Sequence, residues 1–249
     1  AELRIQSNQP SDSNFTVLDG WEWLVGFFDY KSDQSAQGTL TIQPAPELLG
    51  LVGLEPIEVT ALTNMVDAFA QERAIYFDLT RGLGERFELN LGGRLFRQEF
   101  SGSSENNSLG VPVSSSSRES DTDGFNPKLA VTWHLREDIS IYSSATKGFR
   151  FGGVNIIVEP NEDIAPFYDS DELWNYEVGL RTDLFDQRLR FDFTAFYIDW
   201  TNIQISQRSP QGLSSFIENG GSAESKGAEV ELKAVLPWNF FFQISHHST

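Results

Sequence analysis

Apolar and polar side chains alternate along long stretches of this chain. A period of two marks β-strands whose faces meet unlike surroundings. Phe87, Leu89, Leu91 and Leu95 stand opposite Glu88, Asn90 and Arg94. Leu129, Val131, Trp133 and Leu135 oppose Lys128, Thr132, His134 and Arg136. Trp174, Tyr176, Val178 and Leu180 oppose Asn175, Glu177 and Arg181; Leu189, Phe191, Phe193, Ala195 and Tyr197 oppose Arg190, Asp192 and Thr194. Val230, Leu232 and Ala234 oppose Glu229, Glu231 and Lys233. The pattern predicts about ten strands, near 1–7, 20–32, 70–83, 86–101, 122–136, 138–151, 172–185, 188–206, 216–236 and 239–249. Residues 37–43 are a candidate extra strand within a long connection.

The connections alternate as well. Tight turns are expected at 82–85, 136–138, 185–187 and 236–239, and long polar loops at 31–72, 101–123, 152–171 and 207–214. Only the segment 8–20 is longer than the tight turn its position calls for. Such a meander puts its short turns at one end and its long loops at the other, as in outer-membrane β-barrels with a lipid-facing apolar band and a polar lumen. Strands of about 10 to 16 residues exceed the ~5–6 of globular sheets and suffice to cross a bilayer. A lysine or arginine facing lipid at mid-depth costs about 2–4 kcal/mol. The central outward positions are Leu, Phe, Val or Ala, so Arg94, Glu177, Arg181 and Asp192 are expected to point into the lumen. Trp174, Tyr176, Tyr197, and Trp238 with Phe240, fit aromatic girdles at the interfaces.

Composition narrows the picture. The 249 residues carry 36 acidic and 18 basic side chains, a net charge of −18, which disfavours nucleic acid as a partner. There is no cysteine, hence no disulfide framework and no thiolate metal site. The mean hydropathy of −0.31 is compatible with a barrel, since half of each strand and the loops are polar.

Three runs suggest a family. "YSSATKGFRFGGVN" (142–155), "ELWNYEVGLRTDLFDQRLRFDFTAFYIDWTNIQI" (172–205) and "ENGGSAESKGAEVEL" (218–232) resemble, in order and spacing, signatures of TonB-dependent outer-membrane receptors of the siderophore-receptor type. "ELRIQSN", "WEWLVGFFDY" and "FNPKLAVTW" are similar to weaker strand signatures of the same barrel. The resemblance implies an all-β, antiparallel up-and-down transmembrane barrel of which residues 1–249 are a segment, about ten strands of about 22. The plug domain and the last strands are expected to lie outside this chain. It further implies a monomeric receptor in the bacterial outer membrane that imports a scarce nutrient, a ferric siderophore above cobalamin, heme or a glycan. The expected partners are the TonB complex acting through the plug, membrane lipid and lipopolysaccharide, and the small-molecule ligand. No cofactor is implied beyond the transported ligand.

The candidate ligand- or plug-facing residues are Arg94, Arg150, Asn155, Glu177, Arg181 and Asp192. Arg150 could contact an anionic ligand or the plug, or simply pair with a neighbouring strand while the adjacent glycines bend the strand top. Glu177, Arg181, Asp192 and Arg190 read as a charge ladder that holds register across strands. Asn219, Gly220, Gly221 and Gly227 read as shaping the upper wall. Glu159, Glu162, Asp163, Asp169, Asp171 and Glu172 form an acidic loop that matches no EF-hand spacing, and a solvated loop is favoured over a calcium site. Residues 101–123 read as flexible and of low complexity, and residues 44–59 as unusually apolar for an external loop. The histidines (His134, His246, His247) and the serines assemble no catalytic constellation, so no enzyme is expected. The rival readings are a passive porin-type pore and, further off, a soluble all-β carbohydrate-binding module.

Overall fold

In the computed structural model the described residues are 1–7, 20–42, 59–156, 164–210, 212, 215–236 and 240–249. All regular elements among them are strands. In chain order these are β1 (Glu2–Gln6), β2 (Glu22–Ile42), β3 (Val59–Leu83), β4 (Phe87–Ser108), β5 (Val111–Arg136), β6 (Ile139–Arg150) and β7 (Gly153–Val154). There follow β8 (Phe167–Tyr168), β9 (Asp171–Leu184), β10 (Leu189–Thr201), β11 (Gln204–Arg208), β12 (Ser215–Asn219), β13 (Ser222–Leu236) and β14 (Phe240–Ser248). Ten of them form one antiparallel sheet in the order β1-β2-β3-β4-β5-β6-β9-β10-β13-β14, the expected meander. The remaining four make two small hairpins, β7 with β8 and β11 with β12, inserted at the outer ends of the long strands.

The register carries the alternation unbroken across the sheet. On one face Leu3 lies beside Phe27, Phe27 beside Ile75, Ile75 beside Leu95, and Leu95 beside Phe125. Further along, Phe191 lies beside Leu232 and Leu232 beside Ile244. On the other face Tyr76 neighbours Arg94 and Arg94 neighbours Asn126, while Asp192 stands between Arg181 and Glu231. Burial is inverted relative to a soluble domain. Among the described residues the buried apolar side chains are only Val66, Ala74 and Ile164, whereas Glu72, Gln71, Gln98 and Asp171 are buried. Ile75, Leu95 and Val178 are each more than half exposed. A contiguous exposed apolar face with polar groups sheltered behind it is a surface made for hydrocarbon.

Aromatic rings mark the borders of that face. Trp174 stacks on Tyr176 at 5.9 Å, and Tyr176 on Tyr197 at 6.3 Å, near the long-loop end. Phe87 stacks on Trp133 at 5.9 Å near the tight turns. Trp238 falls outside the described residues. Above Leu95 and Phe125 the outward face becomes charged, and Arg97 pairs with Asp121 at 3.1 Å.

Two expectations about loops are corrected. Most of 101–123 is strand: β4 and β5 stay paired to Ser108 and Val111 and turn through Leu109 and Gly110, both with left-handed φ (49° and 79°). Likewise β2 and β3 remain paired as far as Ile42 and Val59, so 37–42 continues β2 instead of forming an extra strand, and residue 43 and most of 44–59 lie outside the described residues. These stretches extend past the apolar band, and their inner face is covered by the β7–β8 hairpin and by polar side chains, so the hydrophobic alternation that announces a strand is gone. Polar ladders replace it: Asn64 donates to Ser104 Oγ and to Asn106 Oδ1, both at 2.9 Å, and Asn106 donates to Ser114 Oγ at 3.1 Å. In a third correction, the strand expected at 188–206 ends at Thr201, and 204–208 pairs separately with 215–219.

Candidate functional site

Two regions of the inner face carry chemistry. The first lies in the wall itself. Arg94 Nε donates to Glu72 Oε1 at 3.0 Å, and its guanidinium lies 4.8 Å over the Phe28 ring. Arg181 sits 4.5 Å over the ring of Tyr142, whose hydroxyl is 2.8 Å from Thr194 Oγ1. Tyr142 can lie flat across β9 because Gly179 opposes it; a Cβ there would come within 2.2 Å of the ring. The expected charge ladder is built differently from the reading above. Arg181 and Asp192 are register neighbours, but Asp192 pairs along its own strand with Arg190 at 2.8 Å, and Glu177 accepts from Asn175, also on its own strand, at 2.7 Å. Arg181, Asp192, Glu229 and Glu231 line an open hollow of about 630 Å³ in the inner face.

The second region is the mouth. The β7–β8 hairpin leaves the wall and folds back against the inner face of the tall β2–β3–β4 extension. Its Val154 comes so close to Gly102 that a Cβ there would lie 2.6 Å from the valine methyl. Beneath the hairpin is a cavity of about 330 Å³ lined by Tyr30, Phe100, Phe151, Val154, Ile156 and Tyr168 among others; among the described residues no charged side chain lines it. Burial pushes the Tyr168 phenol up, so it stays neutral at physiological pH.

The hairpin is held by a knot of polar groups centred on Asp171, at the start of β9 and only 1% exposed. Arg150 Nε donates to both carboxylate oxygens (3.1 and 3.0 Å), and the same guanidinium lies 4.6 Å over Trp200. The Arg150 and Gln204 amides donate to Asp171 as well, each at 3.2 Å. Gln204 Nε2 then donates to the Phe151 and Asp169 carbonyls at 2.7 and 2.9 Å. Asn219 donates to the Asp169 carbonyl at 2.9 Å and accepts from its amide at 2.6 Å. Arg118, from the tall wall, donates to the Asp169 carboxylate at 2.5 Å. Asn155 is buried and fully engaged, donating to the Ala165 and Ile217 carbonyls at 3.0 and 2.8 Å and accepting from the Ile217 amide at 2.8 Å.

Of the residues read from sequence, Arg94, Glu177, Arg181 and Asp192 therefore lie on the inner face of the wall, while Arg150 and Asn155 lie at the mouth, the first paired with Asp171 and the second with the Ala165 and Ile217 backbone. The expected acidic loop is partly neutralised. Asp169, Asp171 and Glu172 pair with Arg118, Arg150 and Lys147; Glu159, Glu162 and Asp163 lie outside the described residues. Sequence reading missed Asp171 as a hub and Gln204, Asn202 and Asn219 as its periphery. A signal was present, because the three motif runs each contribute members of this one cluster. Among the described residues no group of three or more His, Asp or Glu side chains could hold a metal ion.

The comparisons agree with this architecture. A pesticin receptor from Yersinia enterocolitica is 29% identical over 171 residues, 69% of this chain and 24% of that protein. The metal-pseudopaline receptor CntO of Pseudomonas aeruginosa is 26% identical over 176 residues, 69% of this chain and 22% of that protein. The chain thus spans about a quarter of these relatives' length. The crystal structure of the ferric yersiniabactin uptake receptor FyuA from Yersinia pestis superposes with a TM-score of 0.76 at 21% identity, over 99% of this chain and 34% of that one. The siderophore receptor PiuA from Acinetobacter baumannii gives a TM-score of 0.52 at 15% identity, over 90% of this chain and 35% of that one. The profile of the family described as "TonB dependent receptor-like, beta-barrel" matches residues 4–247, and with this span of its wall the chain belongs to that family of transmembrane β-barrels.

Proposed function

We propose that this wall is part of an outer-membrane receptor that binds a ferric siderophore at its outer face and imports it with energy delivered by the TonB complex. The observation that carries the reading is the inward-folded β7–β8 hairpin and its uncharged, aromatic-lined cavity at the mouth. Rings and neutral hydroxyls are suited to the planar organic arms of an iron chelate, whereas a passive pore has no use for an aromatic recess at its mouth. The chain is similar to a pesticin receptor and to a ferric yersiniabactin uptake receptor, and the second of these names is that of a receptor for an iron chelate. In this reading the apolar band meets lipid, the charged belt above it meets lipopolysaccharide, and the receptor works as a monomer. Arg94, Glu177, Arg181 and Asp192 face a plug inside the lumen, and Arg150 and Asn155 act on ligand through the loop they hold. The test is uptake of ⁵⁵Fe-labelled ferric yersiniabactin by iron-starved cells carrying the full-length receptor. Accumulation that is lost on deleting either the receptor or TonB is expected. Accumulation indifferent to TonB would overturn energy coupling, and none at all, with other ferric chelates also inert, would overturn the iron reading.

A further inference from the structure

The chemistry of the mouth is organised by a residue that nothing outside can touch. Asp171 is buried, yet it collects the guanidinium and amide of Arg150 and the amide of Gln204. Gln204 passes the connection on to Phe151 and Asp169, the two ends of the β7–β8 hairpin. Asn219 adds a second clamp on Asp169, so β6, β9, β11 and β12 all bear on where that hairpin lies. The hairpin in turn roofs the aromatic cavity. We infer that Asp171 is a positioning residue: its carboxylate fixes the hairpin across the mouth and thereby sets ligand affinity without contacting ligand. A buried carboxylate suits the task because several charge-assisted hydrogen bonds converge on two oxygens, and loss of the charge strands an arginine and two amides together.

The affinity arm of the test rests on the siderophore reading; the exchange arm does not. Full-length receptor carrying Asp171→Asn is assayed in outer membranes with ferric yersiniabactin, and its amide hydrogen exchange is followed without ligand. The expected result is at least tenfold weaker affinity at an unchanged number of binding sites and unchanged heat-modifiable barrel mobility. Exchange at the Asn155 and Asp169 amides should be at least tenfold faster. Wild-type affinity, or lost binding that only tracks a lost number of sites, overturns the inference, as does unchanged exchange. Should Asp171→Asn fail to assemble, Arg150→Lys removes the guanidinium's bonds to both Asp171 oxygens while keeping the positive charge, and the same readouts decide. If the wild-type receptor binds neither this chelate nor other ferric chelates, the siderophore reading fails and exchange alone decides the positioning role.

Discussion

Tyr142 shows how one side chain holds three strands together. Its ring lies across Gly179 on β9, its hydroxyl reaches Thr194 on β10, and Arg181 caps its outer face. The glycine is needed for room, so Gly179→Ala drives a methyl into the ring and should cost about 1–3 kcal/mol as an overpacking change. A lowered denaturant midpoint in lipid vesicles, partly restored by adding Tyr142→Ala, is the expected result. The two faces make a second contrast. Val178→Arg on the apolar face should destabilise by about 2–4 kcal/mol, and Ser144→Arg on the polar face by much less. The same titration checks it, and equal effects would mean that the faces are not divided between lipid and lumen. At this scale face assignment was legible from alternation alone, and Arg94, Glu177, Arg181 and Asp192 could be placed from it. Partner choice was not. Pairing of Asp192 with Arg190 along one strand depends on rotamers and twist, which spacing does not encode.

Strand existence was legible wherever hydrocarbon imposes contrast, and illegible where it does not. β4 shows both regimes. From Phe87 to Leu95 its outward residues are apolar and its position was evident; from Ser101 to Ser108 it is polar or glycine on both sides and resembled a flexible loop. Ladder hydrogen bonds continue there because β3 and β5 continue beside it, a non-local cause that a local pattern cannot carry. The tips of these hairpins give a topological prediction. A single cysteine at Leu109, in a chain that otherwise has none, should react with a membrane-impermeant maleimide on intact cells, and one at Asp186, in the opposite turn, should react only after the outer membrane is permeabilised. Labelling of both on intact cells would contradict the up-and-down orientation.

The whole sheet ends in two edges, β1 and β14. A lipid core does not tolerate open edges, so these strands require further strands of a larger barrel beside them, in keeping with a chain that spans 34% of the solved relative. The wall is also of uneven height. β3 runs for 25 residues and β6 for 12, a difference of 13. At the usual tilt and rise this lifts one side of the rim roughly 30 Å above the other. In the receptor proposed above, that asymmetry makes the high parapet, dense in serine and asparagine, the part that stands furthest from the membrane. The low side, where Asp171 holds the β7–β8 hairpin inward, would be the recessed approach to the lumen.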